Sequence, residues 1–306
     1  MKPFKFDLPH QTTLSGIHNI PTHSATDENR PLIVALHGAT YDCHYYDADA
    51  TYTAALPSIT FGVPFVSIHR PGYGKTGSLP IPECSSFQQE TGSWLHQYAL
   101  PSLWTKFGLP NGCNCVVLLC HSLGAMGGII AAAMHGHDEN TLYPLGGVVS
   151  SGLGDELLPS MRESPVKEPN IPPDRYSFPL DVKDALMFRP GTVDPEILKL
   201  SAQLDSPTPF AELVGWRASW IPSWKEDWAV HVRAPVMLAL AEQDCFFVGT
   251  RQQVEVCAGA FTKSERVDGS LIEKAPHCLE LSYWSRGWYA RCFGFALECS
   301  TSFALE

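Results

Sequence analysis

Cys115-Val116-Val117-Leu118-Leu119 runs into Cys120-His121-Ser122-Leu123-Gly124, and from Leu123 to Met134 the chain is rich in small residues: Ala125, Gly127, Gly128, Ala131 and Ala132. The apolar, β-branched run reads as a buried strand and the stretch after it as a helix. A strand, a sharp turn with serine at its apex, then a helix is the arrangement known as a nucleophile elbow. The serine backbone in such a turn is strained, and the residues two before and two after it pack almost against each other, so both must be small. Gly124 meets that demand. Cys120 departs from the glycine usual at its position, although its side chain is only one atom larger than that of alanine.

Outward from this turn, short buried runs alternate with longer helical patterns. Pro31-Leu32-Ile33-Val34-Ala35-Leu36, Pro64-Phe65-Val66-Ser67-Ile68, Gly146-Gly147-Val148-Val149-Ser150 and Pro235-Val236-Met237-Leu238-Ala239-Leu240 read as further strands. Residues 86–107, 249–260 and 280–297 read as helices, the last with Trp284 and Trp288 sharing a face. The alternation predicts an α/β fold with a mostly parallel central sheet flanked by helices. At 306 residues the chain could hold two ordinary domains or one large α/β domain.

The rhythm breaks between residues 153 and 232. Prolines crowd there (Pro159, Pro165, Pro169, Pro172, Pro173, Pro179, Pro190, Pro195, Pro207, Pro209, Pro222) and no strong strand pattern accompanies them. The expected organisation is a core of residues 1–152 and 233–306 with a largely helical cap, 153–232, inserted into it. Trp216, Trp220, Trp224 and Trp228 recur every fourth residue, which on an unbroken helix makes an aromatic stripe, with Pro222 expected to interrupt it. These rings either form the cap's own core or, in the case of Trp216, Trp220 and Trp224, line an apolar substrate pocket.

Composition narrows the function classes. Hydrophobic residues are 44% and charged residues 17%, as in an ordinary globular protein and not a disordered or fibrous one. Lys plus Arg number 21 against 32 Asp plus Glu, a net charge of −11 with no basic block, which argues against a nucleic acid or an anionic membrane as partner and for a small-molecule substrate. No apolar run is long enough for a membrane span, and no signal peptide is read at the N-terminus. Ten cysteines without a Cys-x-x-Cys pair, and no Asn-x-Ser/Thr sequon, point to a reduced, cytoplasmic setting. Cys113 and Cys115 read as small hydrophobes at a strand, and His135 and His137 as cations at a helix C-terminus, so no metal site is expected. No Gly-x-Gly-x-x-Gly links a strand to a helix, so no dinucleotide or other cofactor is expected either. The oligomeric state is not encoded in any pattern found.

Three landmarks fall in order along the chain: His37-Gly38-Ala39-Thr40 after the first buried strand, Arg70-Pro71-Gly72-Tyr73-Gly74 after the next, and the Ser122 turn. Together they resemble the α/β-hydrolase fold family, specifically its capped serine hydrolases, over nearly the whole chain. The resemblance implies a nucleophile, an acid and a histidine in that order. Ser122 is then the nucleophile and His277, in Ala275-Pro276-His277-Cys278, the base. Asp244, in the loop after the strand ending at Leu240, is the acid, with Glu242 and Asp155 as rivals. A serine hydroxyl is a poor nucleophile at neutral pH and needs such a base, itself oriented by a carboxylate. The family's oxyanion hole maps onto the backbone N–H groups of Leu123 and Ala39. His121 is expected to pack beside the nucleophile with its side chain directed away from the carboxyl edge of the sheet. Serine at the elbow argues against epoxide hydrolases and haloalkane dehalogenases, which need a carboxylate nucleophile. The implied activity is hydrolysis of an ester, thioester or lactone of a fairly bulky apolar substrate through an acyl-serine. The same constellation also serves C–C bond hydrolysis, acyl transfer and natural-product cyclisation, and some relatives act only as ligand receptors.

Overall fold

The computed structural model describes residues 1–9, 12–22, 29–162, 174–214 and 216–305. Pro165, Pro169, Pro172 and Pro173 of the proline-rich stretch lie outside the described residues.

Eight strands form one sheet. β1 (Lys2–Asp7) and β2 (Thr13–Asn19) are antiparallel to each other, and β2 pairs antiparallel with β4 (Phe65–Ile68). From there the pairing is parallel through β3 (Pro31–Leu36), β5 (Cys115–His121), β6 (Leu145–Ser151), β9 (Val236–Gln243) and β10 (Val267–Pro276). The order across the sheet is β1-β2-β4-β3-β5-β6-β9-β10. A two-residue pairing, β7 (Arg175–Tyr176) with β8 (Thr208–Pro209), sits within the segment between β6 and β9.

Every residue of β3, β4, β5 and β6 is buried, as continuous apolar runs require when helices cover both faces of a parallel sheet. Alternation assigns the faces. Leu32, Val34 and Leu36 point into one core with Leu95, Met126 and Ile130, whereas Ile33 and Ala35 point into the other with Tyr46, Phe65 and Phe293. The first layer contains α2 (Phe87–Trp94) and α3 (Leu123–His137); the second contains α1 (Ala55–Phe61) and α5 (Ser285–Leu305). α4 (Arg251–Gly259) packs against β9 and β10. Among the described residues no helix is long and apolar enough to cross a membrane.

The helix expected over 86–107 begins where its sequence says, with a capping box in which Ser86 and Gln89 each bond the other's backbone N–H. It is not one regular helix. Wider turns interrupt it at Leu95–Ala99 and Trp104–Gly108, closed by bonds from Leu100 N to the Leu95 carbonyl and from Leu109 N to that of Trp104. Each closing residue stands directly before a proline, Pro101 or Pro110. A proline has no N–H for the carbonyl four residues back, and the extra residue in the turn absorbs the mismatch.

Between β6 and β9 the helices among the described residues are short, the longest being Leu180–Met187. Trp216–Ser219 and Trp224–Asp227 replace the single tryptophan helix, with Pro222 in the turn between them.

Candidate active site

Ser122 joins β5 to α3 with φ 52° and ψ −127°, a conformation rarely adopted by a residue with a side chain. Its neighbours explain how the turn closes. A Cβ on Gly124 would lie 2.4 Å from the His37 carbonyl oxygen, and one on Gly38 would lie 2.9 Å from Ser122 Cβ, so both positions demand glycine. The cysteine two residues before the serine is accommodated from the helix side. Cys120 Sγ occupies the space a Cβ on Gly128 would need, 2.5 Å away.

Asp244 follows β9, and His277 follows β10. Just before His277 the ladder slips, because Ile272 pairs with Ala241 while Pro276 pairs with Gln243. The surplus residues on β10 bulge out, with Lys274 in the left-handed region at φ 59°. Glu242 Oε2 accepts from the Lys274 N–H at 2.7 Å and pins the bulge. Glu242, one of the rival acids, is thus engaged on the outside of the sheet. Asp155, the other, accepts from Trp224 Nε1 at 2.8 Å and pairs with Lys225 Nζ at 2.9 Å.

The bulge places the His277 ring between the other two groups. Nδ1 lies 2.7 Å from Asp244 Oδ2, and Nε2 lies 3.0 Å from Ser122 Oγ. Ionised Asp244 can only accept, so the proton sits on Nδ1 and Nε2 faces the serine hydroxyl as an acceptor. The other carboxylate oxygen, Oδ1, accepts from the N–H groups of Phe246 at 2.7 Å and Phe247 at 3.2 Å, which fixes its rotamer. His277 and Asp244 are both buried, and the Phe246 ring meets the imidazole edge to face at 4.7 Å.

His121 corrects an expectation. Its ring is not directed away from the carboxyl edge of the sheet but lies 4.9 Å from the His277 ring there, stacked on Tyr45 at 4.8 Å and 13°. Gly152, at φ 63°, makes room for both rings, since a Cβ there would be 2.8 Å from His121 and 3.0 Å from His277. His121 Nδ1 is 3.1 Å from Ser151 Oγ and 3.7 Å from Glu280. Glu280 is itself buried and accepts from Tyr45 Oη at 2.7 Å and Trp288 Nε1 at 2.8 Å. Burial, aided by the adjacent His277, holds His121 well below its ordinary pKa, and burial raises Glu280. A buried, hydrogen-bonded polar layer of His121, Ser151, Tyr45 and Glu280 therefore lies behind the His277 imidazole.

Ala39, Ser122 and Leu123 line a cavity of ≈ 500 Å³ whose remaining wall is mostly apolar, including Met187, Phe210, Trp216 and Phe246. Trp216 is on this lining, but Trp220 and Trp224 are not. Those two stack on each other at 5.9 Å and 12°, and Trp224 also packs on Phe261. The expectation that they line the pocket is corrected accordingly. All three rings are buried in the apolar cluster that also holds residues of β5 and α3, and Trp216 alone of them reaches the cavity wall. Phe246 and Phe247 were not singled out in the sequence, although they sit two and three residues after Asp244, within the same turn. His135 bonds the Tyr143 carbonyl at 2.9 Å, and burial raises the Cys113 thiol to about 12.

The segment between β6 and β9 is tied to the sheet beside this cavity. Thr40 N donates to Thr208 Oγ1 at 2.8 Å, and Ser206 N donates to the Thr40 carbonyl at 3.0 Å. Arg70 and Glu212 form an ion pair in which both side chains are 1% exposed, and Tyr73 Oη donates to the same carboxylate at 2.5 Å.

Solved structures with this architecture include a monoacylglycerol lipase from Paleococcus ferrophilus (15% identity, TM-score 0.59, covering 88% of this chain and 94% of that one). A thermophilic esterase from Thermogutta terrifontis aligns at 14% identity and TM-score 0.61 over 98% of this chain and 100% of its own. A thioesterase domain from the curacin biosynthetic pathway aligns at 13% and 0.57, over 97% and 99%. No curated protein matches the sequence. The α/β-hydrolase family itself matches residues 33–286, most of the chain. With the sheet order, the elbow and that match in hand, the chain belongs to the α/β-hydrolase family.

Proposed function

We propose that this enzyme hydrolyses a carboxylic ester, thioester or lactone of a fairly bulky apolar substrate through an acyl-serine intermediate. The observation that carries the reading is the chain of contacts Ser122 Oγ to His277 Nε2 at 3.0 Å and His277 Nδ1 to Asp244 at 2.7 Å, with its serine end opening into an apolar cavity.

In this reading His277 Nε2 takes the Ser122 proton as Oγ attacks the carbonyl carbon, and Asp244 stabilises the imidazolium that forms. The carbonyl oxygen becomes an oxyanion beside the N–H groups of Leu123 and Ala39, each such donor contributing about 2.7–4 kcal/mol to the transition state. His277 then returns the proton to the departing alkoxide or thiolate. Water, deprotonated by the same nitrogen, attacks the acyl-serine, and collapse of the second tetrahedral adduct frees the acid and Ser122. No cofactor enters these steps.

Residues 1–152 and 233–306 form the catalytic core in this account, and 153–232 the cap. Support for the division comes from the cavity, whose apolar wall includes Met187, Phe210 and Trp216 of that segment opposite Ser122. The esterase and the thioesterase domain among the structural neighbours are compatible with these substrate classes.

A fluorophosphonate probe is expected to label the protein at Ser122, and Ser122→Ala to abolish both labelling and p-nitrophenyl ester turnover. Folded wild-type protein that neither labels nor turns over any ester, thioester or lactone in a mass-spectrometric screen would overturn the enzymatic reading in favour of a ligand-binding one.

A further inference from the structure

Away from the cavity, four side chains of mixed chemistry converge. Asp42, Cys43 and His44 follow the loop that holds Ala39, and His69 follows β4; one donor atom from each lies within 4.8 Å of all the others. Cys43 Sγ is 3.4 Å from His69 Nε2 and 3.7 Å from His44 Nδ1. Asp42 Oδ1 is 3.0 Å from His44 Nδ1, and Oδ2 is 3.6 Å from His69 Nε2. A zinc ion bound tetrahedrally at ordinary bond lengths separates a sulfur and a nitrogen ligand by about 3.6 Å, and a nitrogen and an oxygen ligand by about 3.4 Å. The sulfur–nitrogen spacings of 3.4 and 3.7 Å and the nitrogen–oxygen spacings of 3.0 and 3.6 Å bracket those values, with a different Asp42 oxygen facing each ring; drawing all four donors from within 4.8 Å of one another onto one ion needs only side-chain adjustment.

We propose that Asp42, Cys43, His44 and His69 form a binding site for a divalent transition-metal ion of the zinc class. Two imidazoles, one thiolate and one carboxylate form a donor set of borderline softness that suits such an ion and not magnesium or calcium.

The surroundings of His69 support the assignment independently. Its second nitrogen, Nδ1, lies 3.0 Å from Ser15 Oγ, which in turn lies 3.2 Å from Thr76 Oγ1. If Nδ1–H donates to Ser15 and the serine hydroxyl passes its own proton toward Thr76, Nε2 is left bare toward the cluster, as a metal-binding histidine requires. Gly74 allows the ring to sit there, since a Cβ at that position would be 2.3 Å from it. Burial and the neighbouring Asp42 raise the Cys43 thiol when no cation is present. Coordination replaces the S–H bond by a sulfur–metal bond and releases that proton to solvent. The four ligands would fasten the 42–44 turn to the loop after β4, whose next residue, Arg70, donates its N–H to His37 at 3.2 Å.

The test is titration of chelator-treated, full-length protein with Co²⁺, a spectroscopic substitute for Zn²⁺, followed by competition with Zn²⁺. Stoichiometric binding with a thiolate-to-cobalt charge-transfer band and tetrahedral visible bands is expected. The band should vanish in Cys43→Ser and persist in Cys84→Ser, which alters the exposed cysteine. His44 is half-exposed, so its substitution leaves the buried core untouched, and His44→Ala should weaken binding more than Ser15→Ala, for which a loss of about 10–100-fold is expected. Added Zn²⁺ should raise the thermal midpoint of the wild type but not of His44→Ala. Absence of the band in folded wild-type protein, or a band that survives Cys43→Ser, would overturn the proposal and leave the cluster as a hydrogen-bonded clasp.

Discussion

Arg70 and Glu212 join the loop after β4 to the segment between β6 and β9, and their removal tests what holds the two together. Both side chains are 1% exposed, so water cannot rescue either charge if the other is lost. Arg70→Met leaves the Glu212 carboxylate with the Tyr73 hydroxyl at 2.5 Å as its remaining side-chain donor. Breaking a buried pair from one side costs about 3–5 kcal/mol, whereas replacing both partners by apolar groups of similar volume is often neutral or better. Arg70→Met and Glu212→Leu should therefore each destabilise strongly, and the double variant should recover at least about 2 kcal/mol relative to the worse single one. The assay is urea unfolding of all four proteins, with amide hydrogen exchange of residues 206–214 to register a local opening that global unfolding would miss. Single variants within about 1 kcal/mol of wild type, with unchanged exchange, would refute the claim that this pair is dry and mutually dependent.

Asp244→Asn should lower kcat for a p-nitrophenyl ester by about 10⁴ with the fold intact, because the amide no longer holds the proton on Nδ1; unimpaired turnover would return Asp155 and Glu242 to consideration. Trp216→Ala should shift acyl-chain preference, whereas Trp220→Ala should cost about 3–5 kcal/mol of stability and leave the preference unchanged; the reverse outcome would sink the assignment of these rings to wall and core. His121 stays neutral in the folded state while the unfolded chain protonates it below about 6.5, so its contribution is complete above that pH and is lost as the pH falls, by up to about 1.4 kcal/mol per unit. Glu280, raised by burial, contributes with the opposite sign above its unfolded value of 4.5. Comparing wild type with His121→Gln cancels that term, and the variant should show the shallower rise in unfolding free energy between pH 5 and 6.5. Equal slopes would show that His121 is not held neutral.

The strands were legible because a parallel sheet covered on both faces requires unbroken apolar runs, and β3, β5 and β9 announce themselves in that way. The Ser122 turn was legible because steric crowding restricts its flanks to small residues. The meeting of Ser122, Asp244 and His277 depends on where β5, β9 and β10 end, and family resemblance supplied that order. What stayed hidden depends on contacts between distant residues. A fourfold tryptophan spacing does not say that Trp216 reaches the cavity wall while Trp220 and Trp224 only pack. Nothing local marks Glu242 as the pin of a bulge, since its partner is a backbone N–H 32 residues away. Cys120 was read against a glycine pattern, but its fit depends on Gly128, one helical turn into α3.

Thr40 carries the same lesson into mechanism. Its φ of 64° is an outlier for a β-branched residue, a strain of about 1–3 kcal/mol that neighbouring contacts must offset. Its N–H goes to Thr208 Oγ1 and its carbonyl to Ser206 N, so both come from the segment between β6 and β9. The loop that presents the Ala39 amide is thus held in shape by the same segment that walls the cavity. Thr208→Val keeps the shape but removes the acceptor, leaving a buried N–H unpaired at a cost of about 1–3 kcal/mol. If that releases the strained turn, the Ala39 donor is misplaced and kcat should fall toward the roughly 10²–10³ loss typical of one missing oxyanion donor, with KM much less affected. Steady-state kinetics on a short acyl ester separates the two effects. Lower stability with unchanged kcat would mean that the loop keeps its own geometry and that the segment merely rests against it.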